Sequence, residues 1–291
     1  MNQTLLNREK KGEAYALTLS ILEGLFPILT LVSVAAYGAL HSYFYTILFA
    51  TMALLFVTWK KKQLPMLMHR AARKDMLLTS LYITLLFVLI FISLRYTTAG
   101  NVAVILVLQL FFSYLYFNII GRESISFLHT TGSVLMGVGA VLILFPDDFS
   151  LNKGDLLALM AAAIAPVANF YQQRARKKVP SIVVLSFRNL VALPFLFLLA
   201  KWSEPPVGLF HDSKAFGFLI LNAMLIFVAA KILWVESLHY ITITKLSALA
   251  SFIPVFTMIF AYLMLGETPG IREIGGAVLV MLGAYLLTRP E

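Results

Sequence analysis

The chain has 291 residues, of which 60% are hydrophobic and 13% charged, and its formal net charge is +9 at pH 7. Soluble domains are roughly half apolar and about a quarter charged, so a water-soluble globule of this length has too little interior for so much apolar surface. The chain contains no cysteine, which excludes disulfides, thiol nucleophiles and thiolate metal sites.

Ten apolar stretches are predicted to cross a bilayer. A crossing helix needs about 20 apolar residues, and backbone groups in lipid must bond internally, so each stretch is predicted to be helical. None alternates in the way that barrel strands do. The sequence therefore predicts an all-α membrane protein with ten transmembrane helices. In chain order, spans 1 to 10 cover residues 14–37, 39–59, 76–96, 98–119, 126–146, 155–173, 181–201, 215–238, 242–265 and 271–288.

Lysine and arginine collect on one side of these spans. With the N-terminus in the cytoplasm, the cytoplasmic segments hold 16 of these residues and the external segments hold 5. Cytoplasmic loops of membrane proteins carry such an excess, so we expect a multi-pass protein of the plasma (inner) membrane with both termini cytoplasmic. The bias also assigns the positive charge to the membrane surface, and we expect no binding to nucleic acid.

The chain resembles itself at an offset of 144 residues. Over 54 aligned positions there are 13 identities, which include Glu123 with Glu267 and Gly139 with Gly283. The repeated unit has five spans, an odd number, so its second copy enters the membrane from the opposite side. Inverted repeats of this kind are typical of secondary transporters, which bind substrate near the midplane between the repeats.

The predicted organisation has four segments. The first 13 residues are polar and lack a cleavable signal pattern. We expect a cytoplasmic N-terminus at 1–13, a first five-helix repeat at 14–146, an external linker at 147–154 and a second five-helix repeat at 155–291.

Several motifs are similar to those of a known family. They are Phe187–Ala192, Ser237–Tyr240, Ser251–Phe256, Leu265–Glu267, Gly275–Leu279 and Gly283–Leu287. On these residues the chain resembles the drug/metabolite transporter superfamily, specifically its ten-span EamA-type permeases. The first half departs from the family pattern, because Glu23-Gly24 replaces the usual Trp-Gly of span 1 and Phe49 stands where span 2 aligns with Arg188.

The resemblance implies a central cavity lined mainly by spans 1, 3, 4, 6, 8 and 9. It implies transport by alternating access without ATP hydrolysis in the same chain. The substrates of the family include amino acids, nucleotide derivatives, other metabolites and drugs, and they are often exported. The motifs therefore imply a small-molecule substrate without specifying which one.

Two charged residues inside spans are the leading site candidates, because an ionisable residue there costs about 2.5–3.5 kcal/mol on insertion scales. Glu23 lies near the middle of span 1, on a polar stripe with Ser20, Thr30 and Ser33 that is predicted to face the cavity. We expect Glu23 to bind a substrate cation, to exchange a coupling proton, or to pair with a fixed base. Lys231 in span 8 is expected to contact substrate or to pair with a carboxylate such as Glu23.

The remaining candidates have weaker patterns. Arg188 in span 7 is expected to snorkel towards the cytoplasmic interface or to bond helix ends, with substrate contact as the alternative. Four neutral residues are predicted either to line the cavity or to join helices. They are Gln109 and Tyr116 on span 4, Asn169 on span 6 and Ser251 on span 9.

Spans 5 and 10 each contain glycines seven residues apart. The pairs are Gly132 with Gly139 and Gly276 with Gly283. Each pair lines one face of its helix, which predicts close packing between helices.

Motifs of enzymes and metal sites are missing from the sequence. There is no P-loop, no Gly-x-Ser-x-Gly elbow and no His-Glu-x-x-His, and the five histidines do not cluster with metal-ligand spacing. We therefore expect no enzymatic activity, no cofactor and no metal.

The sequence predicts a secondary active transporter, by family analogy an exporter, of a small polar or zwitterionic metabolite such as an amino acid or derivative. One alternative is a proton-coupled exporter of cationic drugs, and another is a non-transporting membrane scaffold. The lipid bilayer is the expected environment, protons are a candidate coupling ion, and the oligomeric state is either monomer or homodimer.

Both termini are expected on the cytoplasmic side, because an even number of spans returns the chain to its starting face. Fusions of green fluorescent protein to either end should fluoresce in a bacterial host, whereas alkaline phosphatase fused to either end should be inactive. Termini on opposite faces would contradict the ten-span topology.

Overall fold

We analysed a computed structural model of the chain, which describes residues 3–116, 127–144 and 152–287. Within these ranges the regular secondary structure is helical, and no β-strand occurs. Six helical stretches in these ranges are long and apolar enough to cross a membrane, and shorter apolar helices accompany them. The expectation of an all-helical, multi-pass protein is confirmed. The count of ten transmembrane helices stays a prediction, because the facing ends of spans 4 and 5 lie outside the described residues.

The long stretches each contain 22 to 28 residues, enough for a tilted crossing of the hydrocarbon. They are Lys10–Tyr37, Ala39–Lys60, Arg70–Ser93, Lys153–Arg176, Ser181–Ser203 and Ser213–Tyr240. The shorter apolar helices are Ala99–Tyr114, Ile253–Leu265 and Ile274–Leu286.

The described α-helices are numbered in chain order. They are α1 (Gln3–Gly24), α2 (Phe26–Tyr37), α3 (Ala39–Lys60), α4 (Arg70–Ser93), α5 (Ala99–Val107), α6 (Gln109–Tyr114), α7 (Phe127–Leu144), α8 (Lys153–Arg176), α9 (Ser181–Ser203), α10 (Ser213–Leu221), α11 (Lys231–Tyr240), α12 (Ile243–Leu249), α13 (Ile253–Leu265) and α14 (Ile271–Leu287). A 3₁₀ turn, Leu64–Met68, connects α3 to α4.

Four stretches change helix geometry part of the way across. The first breaks at Leu25, two residues before Pro27 in the first turn of α2, and α5 passes into α6 at Leu108. A π-helix, Asn222–Ala230, joins α10 to α11, and a 3₁₀ turn, Ala250–Phe252, joins α12 to α13. Proline and π-helical segments leave backbone groups outside the regular ladder. Interrupted helices are where transporters commonly bind their cargo.

The most extensive contacts join the two halves of the chain. Helix α7 packs along α14, α4 along α8, α3 along α9 and α1 along α11, and α5 also packs on α13. Spans 1 to 5 correspond to spans 6 to 10 in the repeat. When every span is replaced by its counterpart, the same set of packed pairs results. The packing therefore has the approximate twofold relation that an inverted repeat produces.

Each end of the bundle contains a buried acid, and we name the ends after these residues. At the Asp75 end, Lys178 Nζ donates to Asp75 Oδ2 at 2.6 Å, which joins the start of α4 to the connection between α8 and α9. At the Glu204 end, the carboxylate after α9 accepts a hydrogen bond from Arg95 Nη1 at 3.3 Å, just beyond α4. The helices run alternately between these two ends.

Glu204 also caps the start of α3. Its carboxylate accepts hydrogen bonds from three successive backbone N–H groups of α3, at residues 39–41, over 2.9–3.1 Å. The preceding residue, Gly38, has φ +83°, and a Cβ there would lie 2.6 Å from Glu204 Oε2, so only glycine fits. A carboxylate at a helix N-terminus also interacts favourably with the helix dipole. The Glu204 side chain therefore links the end of α9 to the start of α3.

The contact between α7 and α14 depends on glycine. A Cβ added to Gly139 would lie 2.6 Å from the carbonyl oxygen of Gly276 and 2.9 Å from the backbone nitrogen of Val280. A Cβ on Gly283 would meet the carbonyl oxygen of Gly132. The predicted close packing of spans 5 and 10 is confirmed, because backbone meets backbone at both points.

Gly139→Ala should destabilise the protein, because the obstructing atoms belong to the backbone of α14 and cannot rotate away. Overpacking of this kind costs about 1–3 kcal/mol, which should lower the thermal midpoint of the detergent-solubilised protein. Gly137→Ala on the same helix is the matched control, since a Cβ there meets nothing within 4 Å. Equal midpoints for the two variants would contradict the packing described.

Candidate functional site

A cavity lies inside the bundle. Its walls come from α1 and α2, α4, α5 and α6, α8, α9, α11, and the 3₁₀ turn with α13. All four interruptions of helix geometry border it: Glu23 and Pro27 flank the first, Gln109 follows the second, Lys231 follows the π-helix, and Ala250 lies in the 3₁₀ turn. The irregular backbone and the cavity therefore coincide, as expected where interrupted helices line a binding site.

The cavity contains a buried ion pair. Lys231 Nζ lies 2.6 Å from Glu23 Oε1, and the two side chains are 11% and 7% exposed. The ammonium group also lies 5.0 Å from the ring centre of Phe87 and 5.7 Å from that of Trp234, within cation–π range. This pair joins α1 to α11, one helix from each half of the chain. Removing one partner would leave an uncompensated charge in a poorly solvated place.

Arg188 also lines the cavity and is only 2% exposed. Its Nε donates to Asn189 Oδ1 and its Nη1 donates to Gln172 Oε1, both at 3.2 Å. The third guanidinium nitrogen, Nη2, is buried and has no hydrogen-bond partner among the described residues. The backbone carbonyl of Arg188 accepts a hydrogen bond from Ser80 at 2.9 Å, which joins α9 to α4. The guanidinium therefore bonds inside the bundle and does not snorkel to the interface.

Neutral polar groups complete the wall. Asn169 Oδ1 accepts a hydrogen bond from Trp234 Nε1 at 3.0 Å, which orients the indole ring against the cavity. Gln109 and Gln172 also line the cavity. Since amide groups can both donate and accept, these side chains suit a solute with hydrogen-bonding groups.

The structure brings together most of the residues that the sequence indicated. Tyr116 does not line the cavity; its ring lies 6.2 Å from that of Phe112. The side chain of Ser251 lies outside the described part of the structure, although its backbone belongs to the 3₁₀ turn. The predicted residues that line the cavity are Glu23, Gln109, Asn169, Arg188 and Lys231.

The polar stripe of span 1 only partly faces the cavity, contrary to expectation. Glu23 and Pro27 line it, whereas Ser20, Thr30 and Ser33 are buried elsewhere. Ser20 and Ser33 donate to carbonyl oxygens four residues earlier, and Thr30 accepts from an asparagine of the π-helix. The break at Leu25 changes the direction of the helix, so one stripe cannot keep a single environment along its whole length.

Sequence reasoning missed two hydrogen-bonding residues of the cavity, Gln172 and Trp234. The neighbouring Gln173 points elsewhere, since its Nε2 donates to the backbone of α11 at 3.0 Å. The spacing of Ala165, Asn169 and Gln172, at i, i+4 and i+7, is the signal that identifies the lining face of α8.

Ion pairs close the bundle at the Asp75 end. Besides Lys178, the buried Asp75 carboxylate contacts Arg174 Nε at 3.2 Å. Lys245 Nζ lies 2.6 Å from Glu13 Oε1, which joins α12 to α1. Each of these contacts joins one half of the chain to the other, as the contacts of Glu204 do at the opposite end. The cavity therefore lies between two sets of ionic contacts.

A polytopic helical bundle with a charged, enclosed cavity between two related halves defines the class of membrane transport proteins. The chain belongs to the EamA-like transporter family, whose model matches residues 10–145 and 152–289. The resemblance seen in the sequence is thus confirmed. Among the described residues, no group of histidine, aspartate or glutamate side chains is arranged to hold a metal ion.

Similar proteins carry the same general description. The chain is similar to the uncharacterized transporter sll1164 of Synechocystis sp., with 23% identity over 210 residues, which is 68% of this chain and 60% of that protein. It is similar to an uncharacterized transporter of Archaeoglobus fulgidus, with 24% identity over 72% of this chain and 73% of that protein. A protein of known crystal structure shares the fold, with a TM-score of 0.72 at 15% identity over 96% of this chain and 97% of that one.

Single substitutions in the buried ion pair should cost far more stability than their combination. Glu23→Gln or Lys231→Met alone leaves one buried charge unpaired, at a cost of about 3–5 kcal/mol, whereas the double variant removes both charges and should recover most of that loss. Denaturation of the four proteins in detergent gives the coupling energy.

The pair between Glu13 and Lys245 is the control for this cycle. Its atoms are also 2.6 Å apart, but the two side chains are 36% and 37% exposed, so its coupling energy should be only about 0–1 kcal/mol. Additive losses at Glu23 and Lys231 would show that the two side chains do not form the pair described.

Proposed function

We propose that the protein is a secondary active transporter that carries a small polar metabolite, such as an amino acid or derivative, by alternating access. The cavity around Glu23 and Lys231 is its substrate site. The observation that supports this best is the position of that ion pair, enclosed between the two halves of the chain at a point where the helices are interrupted. Family analogy makes export the proposed direction.

The depth of the cavity agrees with a substrate site near the midplane. Glu23 lies close to the middle of the 28-residue stretch Lys10–Tyr37, and Lys231 lies within the 28-residue stretch Ser213–Tyr240. A solute bound between them is therefore far from both membrane surfaces. Such a position lets either end of the bundle open towards the same site.

The two sets of ionic contacts supply a physical basis for alternation. Glu204 holds α9 to α3 and α4 at one end, and Asp75 with Lys178 joins the two halves at the other. Separation at one end, while the other end stays closed, exposes the cavity to one side at a time. The ten-span arrangement, with inverted repeats at 14–146 and 155–291 and both termini in the cytoplasm, belongs to this proposal. So does a location in the plasma (inner) membrane.

The Glu23 carboxylate neutralises Lys231 in this scheme, and protons are the candidate coupling ion. Export of cationic drugs is less well supported, because the carboxylate that a cation needs is already bound to Lys231 at 2.6 Å. A scaffold without transport does not account for a cavity that contains a buried ion pair.

Transport can be tested in proteoliposomes preloaded with a defined mixture of amino acids, organic acids and nucleosides. Mass spectrometry should show that at least one solute leaves vesicles with the wild-type protein faster than protein-free vesicles. The double variant Glu23→Gln/Lys231→Met should lose this activity, because the substrate site no longer has its central ion pair. The double variant is used because it should fold.

Arg73→Gln is the matched control, because Arg73 is exposed at the membrane surface and does not line the cavity. It should retain the wild-type rate. If no solute leaves faster with folded wild-type protein, or if the double variant retains the full rate, the proposed function is wrong.

A further inference from the structure

The formal charges of the cavity do not cancel. Three ionisable side chains line it, namely Glu23, Lys231 and Arg188. Lys231 and Glu23 neutralise each other at 2.6 Å, whereas Arg188 forms no ion pair within the described part of the chain. The lining therefore has one positive charge in excess, and that charge is on Arg188.

The contacts of Arg188 leave one position of its guanidinium free. Nε and Nη1 donate to amide oxygens of Asn189 and Gln172, which are neutral. Nη2 is buried and unpartnered in a side chain that is 2% exposed and lines the cavity. Arginine stays charged in proteins, and a buried charge without a counter-ion is strongly unfavourable. An anionic ligand would remove that cost, and a carboxylate is the group that matches a guanidinium geometrically.

The rest of the wall suits an apolar body. Thirteen of the nineteen lining residues are apolar, and Phe26, Phe87 and Trp234 form an aromatic part of the wall. A ligand that places its carboxylate on Arg188 therefore has an apolar surface to contact beyond it.

A free ammonium group on the ligand would have no counter-ion. Glu23 is the only carboxylate among the described lining residues, and it is held by Lys231. If Glu23 turned to a ligand ammonium, Lys231 would be left buried and unpaired. One excess positive charge also matches one carboxylate better than a doubly charged phosphate.

We infer that the cavity binds a monocarboxylate anion with an apolar, preferably aromatic, body and no ammonium group, and that Arg188 binds the carboxylate. This inference rests on the proposed function in taking the cavity as the substrate site, and it narrows the small polar metabolite proposed above to a carboxylate derivative that lacks the ammonium group of an amino acid.

Four probes with the same aromatic body test the charge class at pH 7.5: 3-phenylpropanoate is an anion, phenylalanine a zwitterion, 2-phenylethylamine a cation and 3-phenylpropanamide neutral. Trp234 provides the readout, because it lines the cavity, while the other two tryptophans, Trp59 and Trp202, are 57% and 79% exposed. Replacing those two with phenylalanine leaves Trp234 as the only tryptophan, so that selectively excited tryptophan emission reports on the cavity. Titration of each probe then gives a dissociation constant.

The propanoate should bind at least about tenfold more tightly than the other three probes, since a hydrogen bond to a charged group is worth that much. Arg188→Gln should remove this preference while leaving the weak binding of the amide unchanged. The preference of Arg188→Lys for the propanoate should lie between those of the wild type and Arg188→Gln, because lysine keeps the charge and loses the planar fork. Arg73→Gln, at an exposed position outside the cavity, should match the wild type.

Equal or tighter binding of phenylalanine or the amine, no effect of Arg188→Gln, or no binding of the propanoate would each overturn the inference. If Arg188→Gln does not fold, the order of the affinities of the four probes for the wild-type protein still tests the inference. If the propanoate binds as expected and proteoliposomes move no solute, the proposed function fails and the charge class stands. If solutes move without this selectivity, the charge class alone is wrong.

Discussion

The contact between Glu23 and Lys231 is the constraint on which the rest of the structure depends. Two opposite charges 2.6 Å apart, one from each half of the chain, are stable inside an apolar bundle only because each neutralises the other. The helices that carry them are broken beside the charged residues, and the cavity opens at those breaks. Packing of the halves, position of the cavity and charge of its wall all follow from keeping this pair together.

Ionic contacts between the two halves also occur at both ends of the bundle, where the basic partners are more exposed. Each end holds a buried carboxylate, Asp75 or Glu204, that receives donors from the other half of the chain. These contacts include partly exposed partners such as Arg95 and Arg174. Replacing contacts of that kind with contacts to water costs less free energy than replacing the central pair. Alternating access needs this difference in strength, since the ends of the bundle must separate while the two halves stay together.

Much of this architecture could be read from the sequence, because lipid imposes strict rules. Apolar length and the absence of alternation indicated helices, and the cost of charges in a membrane singled out Glu23 and Lys231. Rotation of a helix about its axis could not be read in the same way. Gln172 and Gln173 are equally polar, and only the neighbours of α8 decide which of them faces the cavity. The burial of Arg188 was also beyond reach, since so long a side chain has the interface as an alternative destination.

The π-helix in front of Lys231 has a consequence for how the cavity changes shape. A π-helical segment accommodates more residues per turn than an α-helix, so its conversion to α-helix shifts the register of everything that follows. A shift of one residue would turn Lys231 by about 100° around the axis of α11, away from Glu23. The π-helical register of Asn222–Ala230 therefore fixes the rotation of α11 at which Lys231 meets Glu23.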